Sequence, residues 1–169
     1  AYSVRPDAAL RQEAIGVLEF ICHSMRHSER GLVESIPNRL PRRQNPHMHL
    51  FEAMLACFEH FGDPVYADFA HGMAKLFEQN FFLMPGIVNE FFEDDLRTPS
   101  SQSGGLLMEP GHHFEWIWLL EEYRRLFGIE VGRAENLANF VMANGISDES
   151  NLLYGAVYGD GQVAQADVR

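Results

Sequence analysis

The sequence predicts a mostly helical fold built from paired helices, in one domain over residues 1–169, and three observations predict it. Apolar residues recur at steps of three and four over five separate stretches, the spacing that places them on one face of a 3.6-residue turn. Glycine and proline stand between those stretches where helices stop and start. The 169 residues carry a 46% hydrophobic share with 12% aromatics, enough for a sizeable buried core and too apolar for a disordered tail.

The first helical stretch covers residues 6–25. The second, residues 46–61, is apolar on most sides through Met48, Leu50, Phe51, Met54, Leu55, Cys57, Phe58 and Phe61, which is the profile of a buried helix. Gly62, Asp63 and Pro64 then supply a stop glycine, an N-cap aspartate and a first-turn proline, so the third helix, residues 64–83, folds back as a tight hairpin. The fourth, residues 112–127, follows Pro110-Gly111 and closes at Gly128. The fifth covers residues 133–143. Two successive hairpins with a Phe-Gly turn suggest a repeated helix pair. Residues 31–36, 86–92 and 152–158 read as extended runs forming small ribbons at one rim, and residues 98–105 as a surface loop.

A formal net charge of -11 opposes a nucleic-acid partner, because phosphate-backbone binding draws on clustered Lys and Arg. Cys22 and Cys57 sit inside apolar helical patterns, not at the spacings of a disulfide framework or zinc site, so a reducing, cytoplasmic setting is expected. No apolar run approaches the roughly 18 residues of a membrane span, and the N-terminus lacks a signal-peptide pattern. The first residue is Ala1, not methionine, which hints at a trimmed or excised segment. Phosphate loops, dinucleotide fingerprints, nucleophile elbows and HExxH are all absent.

Two stretches carry the chemistry, Asn45 to Ala53 and Glu109 to Trp116. On the second helix Asn45, His49, Glu52, Ala56 and Glu59 form one polar stripe on an apolar rod. It is either a narrow solvent-facing strip or a site, and Asn, His and Glu suit oriented hydrogen bonds. His112 and Glu115 stand three apart on the first turn of the fourth helix, where they can act on one molecule. The positive end of the helix dipole is expected to keep His112 neutral, with Glu115 orienting the ring or bonding a substrate hydroxyl. Trp116 and Trp118 offer large planes to a ligand. An ordinary first turn with core tryptophans explains the same spacing. The spacing of His47, His49, His112 and His113 puts alternate rings on different faces, which argues against a metal. Arg39, Arg42 and Arg43 suit either an anion or surface salt bridges.

These stretches resemble the N-acylglucosamine 2-epimerase family, which includes cellobiose 2-epimerases and mannose-type aldose-ketose isomerases. The resemblance lies in Asn45, Met48, His49, Glu52 and Ala53, in Gly111, His112 and Glu115, and in the segment from Asn89 to Phe92. It implies an all-α class, an internal segment of a six-fold α/α barrel with short β ribbons in its loops; five helices do not close such a barrel. It further implies a sugar epimerase or isomerase working by proton transfer beside the carbonyl of an open-chain sugar, with His112 as one acid/base and Glu115 beside it. Asn45, Met48 and His49 would line the sugar pocket, without metal or cofactor. A second histidine and a pocket arginine would lie outside residues 1–169. The partner implied is a small sugar, and a homodimer is expected from the apolar edges of so short a piece. A non-catalytic helical carbohydrate- or protein-binding module is the alternative.

Overall fold

The computed structural model describes residues 7–168, with side chains through residue 165. Its helices are α1 (Ala8–Phe20), α2 (Asn45–Phe61), α3 (Pro64–Leu76), α4 (Pro110–Phe127) and α5 (Ala134–Asn144). The strands are β1 (Arg42–Arg43), β2 (Phe82–Leu83), β3 (Ile87–Val88), β4 (Phe91–Phe92), β5 (Leu107–Met108), β6 (Tyr154–Tyr158) and β7 (Val163–Val168). All pairing is antiparallel: β1 with β4, β2 with β3, and a sheet ordered β5-β6-β7.

Local chemistry explains where the helices begin and end. Proline occupies the first turn of α2, α3 and α4, where a missing N–H costs nothing. Gly62 and Gly128 close α2 and α4 at φ 70° and 68°, a left-handed conformation that glycine adopts without a Cβ penalty. Each returns its N–H, at 2.8 Å, to Phe58 or Arg124. Asp63 occupies the N-cap of α3, but its carboxylate makes no cap bond. Arg11 on α1 grips it instead at 2.6 Å, tying α1 to the α2–α3 turn.

Sequence and structure part in three places. The stretches read as helix to residues 25 and 83 widen into π turns at Ile21–Met25 and Phe77–Phe81. Phe82 and Leu83 then turn into a hairpin, since Pro85 disfavours helix in the residue before it. The start expected at Pro6 lies outside the described residues. Residues 31–36 form no strand, and only Leu32 bridges to Arg26. That loop is built around Arg42, whose buried guanidinium donates to the carbonyls of Leu32 at 2.6 Å, Arg30 at 2.7 Å and Asp94 at 2.5 Å. Arg42 is thus an internal clamp, because its five donors satisfy carbonyls that the turning chain leaves unpaired. Exposed Arg43 pairs with Glu34 at 2.5 Å.

The core lies between α2, α3 and α4. Trp116 on α4 is wholly buried, its ring 4.4 Å from Phe77 and 5.9 Å from Phe51. Phe61 meets Tyr66 at one end of the α2–α3 pair and His47 meets Phe81 at the other, so the hairpin is antiparallel. By contrast α2 and α4 run parallel: Asn45 meets His112 where both start, and Arg125 pairs with Glu59 where both finish. A second cluster, Ile87, Met108, Phe140, Val141 and Val157, joins α5 to the strands. There Gly86 lies against α5 so closely that a Cβ would sit 2.1 Å from the Asn136 carbonyl oxygen. A backbone oxygen cannot swing aside, so Gly86→Ala is expected to cost about 1–3 kcal/mol of unfolding free energy. Urea titration measures it, and an unchanged midpoint would refute that close approach. Among the described residues no helix is long and apolar enough to cross a membrane.

Candidate active site

Two buried histidines set the starts of α2 and α4. His47 is hydrogen-bonded through Nδ1 to the Arg43 carbonyl at 3.0 Å and accepts the Leu32 N–H at Nε2, at 2.8 Å. His113 repeats the arrangement with the Glu109 carbonyl at 3.2 Å and the Val88 N–H at 3.1 Å. A backbone amide can only donate, so Nε2 of each ring is the acceptor and Nδ1 carries the proton. Burial pushes both rings down to about 4, against the smaller upward pull of their backbone bonds. They are neutral posts, one joining the first turn of α2 to the loop at Leu32 and the other that of α4 to β3.

Next to His113 on the first turn of α4 stands His112. Its Nδ1 is 2.9 Å from Glu90 Oε1 and its Nε2 is 3.0 Å from Asn45 Nδ2. Glu90, in the turn between β3 and β4, is buried to 2% exposure. Gln44, just before α2, places its Nε2 3.1 and 3.0 Å from the two carboxylate oxygens and accepts the Trp116 indole N–H at 2.8 Å. Burial is the largest single influence on the His112 ring and lowers its pKa. The hydrogen bond and charge of Glu90, with the charges of Glu109 and Glu115, outweigh it, and the net shift is upward. The helix dipole is expected to favour the neutral ring, and these carboxylates pull the other way.

Beside His112 opens a cavity of about 90 Å³ lined by Glu109, Gly111, His112, Glu115, Leu153, Tyr154 and Gly155. Asn45 and His112 therefore meet directly, and Glu115 shares the cavity from an exposed position. Met48 packs in the core with no exposed surface, supporting α2 from beneath. His49 faces outward, its side chain 53% exposed and 3.1 Å from Glu52. Trp116 is a core residue, leaving Trp118, 53% exposed, as the plane open to a ligand. Glu90, Glu109 and His112 bring one donor atom each within 4.8 Å of one another.

Glu90 and Gln44 carry no motif spacing that marks them as site residues. The signal for Glu90 was present, since it is the one acid within the run Ile87-Val88-Asn89-Glu90-Phe91-Phe92, and a carboxylate drawn into a core must be paired there.

The sequence model of the N-acylglucosamine 2-epimerase family matches residues 1–168. A curated relative, the mannose-6-phosphate isomerase of Rhizobium meliloti (strain 1021), is 34% identical over 149 residues, which are 85% of this chain and 38% of the relative. A solved D-mannose isomerase superposes with a TM-score of 0.79 at 18% identity, over 92% of this chain and 44% of its own. For the cellobiose 2-epimerase of Spirochaeta thermophila DSM 6192 the TM-score is 0.76 at 18% identity, over 97% of this chain and 45% of its own. At such identities the likeness is one of fold. The chain spans less than half the length of these relatives, as a helix-rich segment, with strands, of their α/α barrel fold.

Proposed function

The chain belongs to the N-acylglucosamine 2-epimerase family, and on that premise we propose that it supplies one acid/base of a sugar epimerase or isomerase. The observation that carries the proposal is His112 itself: Nδ1 is turned to a buried carboxylate, Nε2 meets Asn45, and the residue lines a cavity. In the proposed reaction Nε2 takes the proton from the carbon beside the carbonyl of an open-chain sugar. The C–H bonding pair becomes the carbon–carbon double bond and the carbonyl π pair moves to oxygen, which gives an enediolate. Return of a proton to the same carbon from the opposite face epimerises the sugar; return to the neighbouring carbon, with the hydroxyl proton passing to the first oxygen, isomerises it. Asn45 and Glu115 would bond the sugar hydroxyls, with His49 further out along α2 and Met48 holding that helix in place. A second histidine and an arginine, carried over from the family resemblance, would lie outside residues 1–169.

Histidine suits this work because its ordinary pKa near 6.5 leaves both protonation states accessible. The substrate proposed is an unphosphorylated mannose-type or N-acylglucosamine-type sugar. Support comes from Glu109 and Glu115 on the cavity wall, whose charges oppose a phosphate ester. The test is to incubate the full-length protein with mannose, glucose, fructose and N-acetylated hexosamines in D2O and follow C2–H by NMR. Deuterium at C2 with a C2 epimer or ketose forming is the expected result. Sugar binding without exchange would replace this reading with a non-catalytic carbohydrate-binding module.

A further inference from the structure

We infer that Glu90 is a positioning residue of this site: its buried carboxylate, clamped by Gln44, holds His112 in the tautomer and orientation that turn Nε2 toward the substrate. The inference rests on the role proposed for His112 and deepens it.

The hydrogen bonds around Glu90 run in a fixed direction. Trp116 has only an N–H to give, and it gives it to Gln44 Oε1 at 2.8 Å. That settles which end of the Gln44 amide is which, so its NH2 end faces Glu90, 3.1 and 3.0 Å from the two oxygens. The 3.2 Å between Gln44 Nε2 and His112 Nδ1 is then an approach of two donors that converge on one carboxylate. With Nδ1–H committed to Glu90 at 2.9 Å, the lone pair of the neutral ring is on Nε2, where it accepts from the Asn45 amide at 3.0 Å until a substrate proton takes that place. The backbone holds the same geometry, since Gln44 N–H donates to the Glu90 carbonyl at 3.2 Å and Glu90 N–H to that of Leu107 at 2.8 Å.

A carboxylate left alone at 2% exposure would be costly, and here it is satisfied from both sides. When Nε2 accepts the substrate proton, the ring becomes a cation beside Glu90. Glu90 stabilises it without taking a proton. The other groups facing the ring are Glu109, 3.8 Å from Nε2, Glu115, Tyr154, Asn45 and the neutral His113. Glu115, three residues along α4, lies exposed on the cavity wall and leaves Nδ1 to Glu90.

Glu90→Gln removes the charge and sets an amide against the Gln44 NH2. In the full-length protein, kcat is expected to fall about 100-fold with KM changed less than about threefold. Loss of the negative neighbour lowers the His112 pKa, so the acid limb of the kcat profile moves to lower pH. The imidazole 15N titration of His112 moves the same way, and Glu90→Asp restores part of both. A folded Glu90→Gln protein with an unmoved His112 titration and an unmoved acid limb would overturn the inference. Should Glu90→Gln fail to fold, Glu90→Asp decides: a His112 titration identical to the parent's overturns it. If the parent exchanges no sugar proton at all, the functional reading falls, while the 15N titration still judges the role of Glu90.

Discussion

His112→Ala in the full-length protein is expected to lower kcat by about 10²- to 10⁴-fold, the range that a positioned general acid/base contributes. Loss of deuterium incorporation at the sugar C2 is expected in parallel. The substitution should leave the fold standing. The ring is partly open to the cavity, with 15% of its side chain exposed, and the Gln44–Glu90 and Gln44–Trp116 bonds survive its removal. His113, one residue on, is the contrast: its ring is fully buried and joins α4 to β3, so its truncation acts on stability. Exchange that persists at the parental rate in His112→Ala would remove the assignment.

Acid should weaken the fold well above the pH at which carboxylates protonate. His47 and His113 titrate near 6.5 when unfolded, but burial holds them at about 4 in the native chain. Above pH 6.5 neither state binds these protons and stability is full. As pH falls from 6.5 toward 4, only the unfolded chain takes them up, so the unfolding free energy declines. Each ring accounts for roughly 3 kcal/mol, a sizeable share of the 5–15 kcal/mol typical of a folded domain. His112 works with the opposite sign. Its raised pKa means that its interaction with Glu90 stabilises fully below 6.5 and is lost as pH rises through the native value. Asp95 and Glu122, whose pKa values are lowered, act only below the ordinary carboxylate range. Urea midpoints measured from pH 7.5 to 4.5 provide the check, and a flat profile would refute the neutral-post account.

The parts of the fold legible in the sequence are those governed by local rules. Pro46 and Gly62 bracket α2, Pro110 and Gly128 bracket α4, and Gly62-Asp63-Pro64 marks the hairpin with α3; these residues act on their own turns wherever the chain goes. The π turns after α1 and α3 leave no such mark, because an apolar period continues through them. In the site, His112 and Asn45 stood out by residue type and position on a first turn. Glu90 and Gln44 did not, because their meaning comes from burial and from partners 22 to 72 residues away. Arg42 shows the same limit. As one of three arginines before α2 it read as a surface or anion-binding charge, and only the path of loop 30–32 and of Asp94 turns it into an internal clamp.

The parallel course of α2 and α4 also orders the assembly of the molecule in time. Two helices joined by a two-residue turn can zip together from that turn, as α2 and α3 do. Parallel neighbours have no shared turn to start from, and Asn45 finds His112 only across a sequence separation of 67. Closing so long a loop is an entropic cost met before any contact repays it, and non-local contacts of this kind slow folding. The contacts of His112 with Asn45 and Glu90 are therefore expected to form late, when α4 docks beside α2 and the β3–β4 turn.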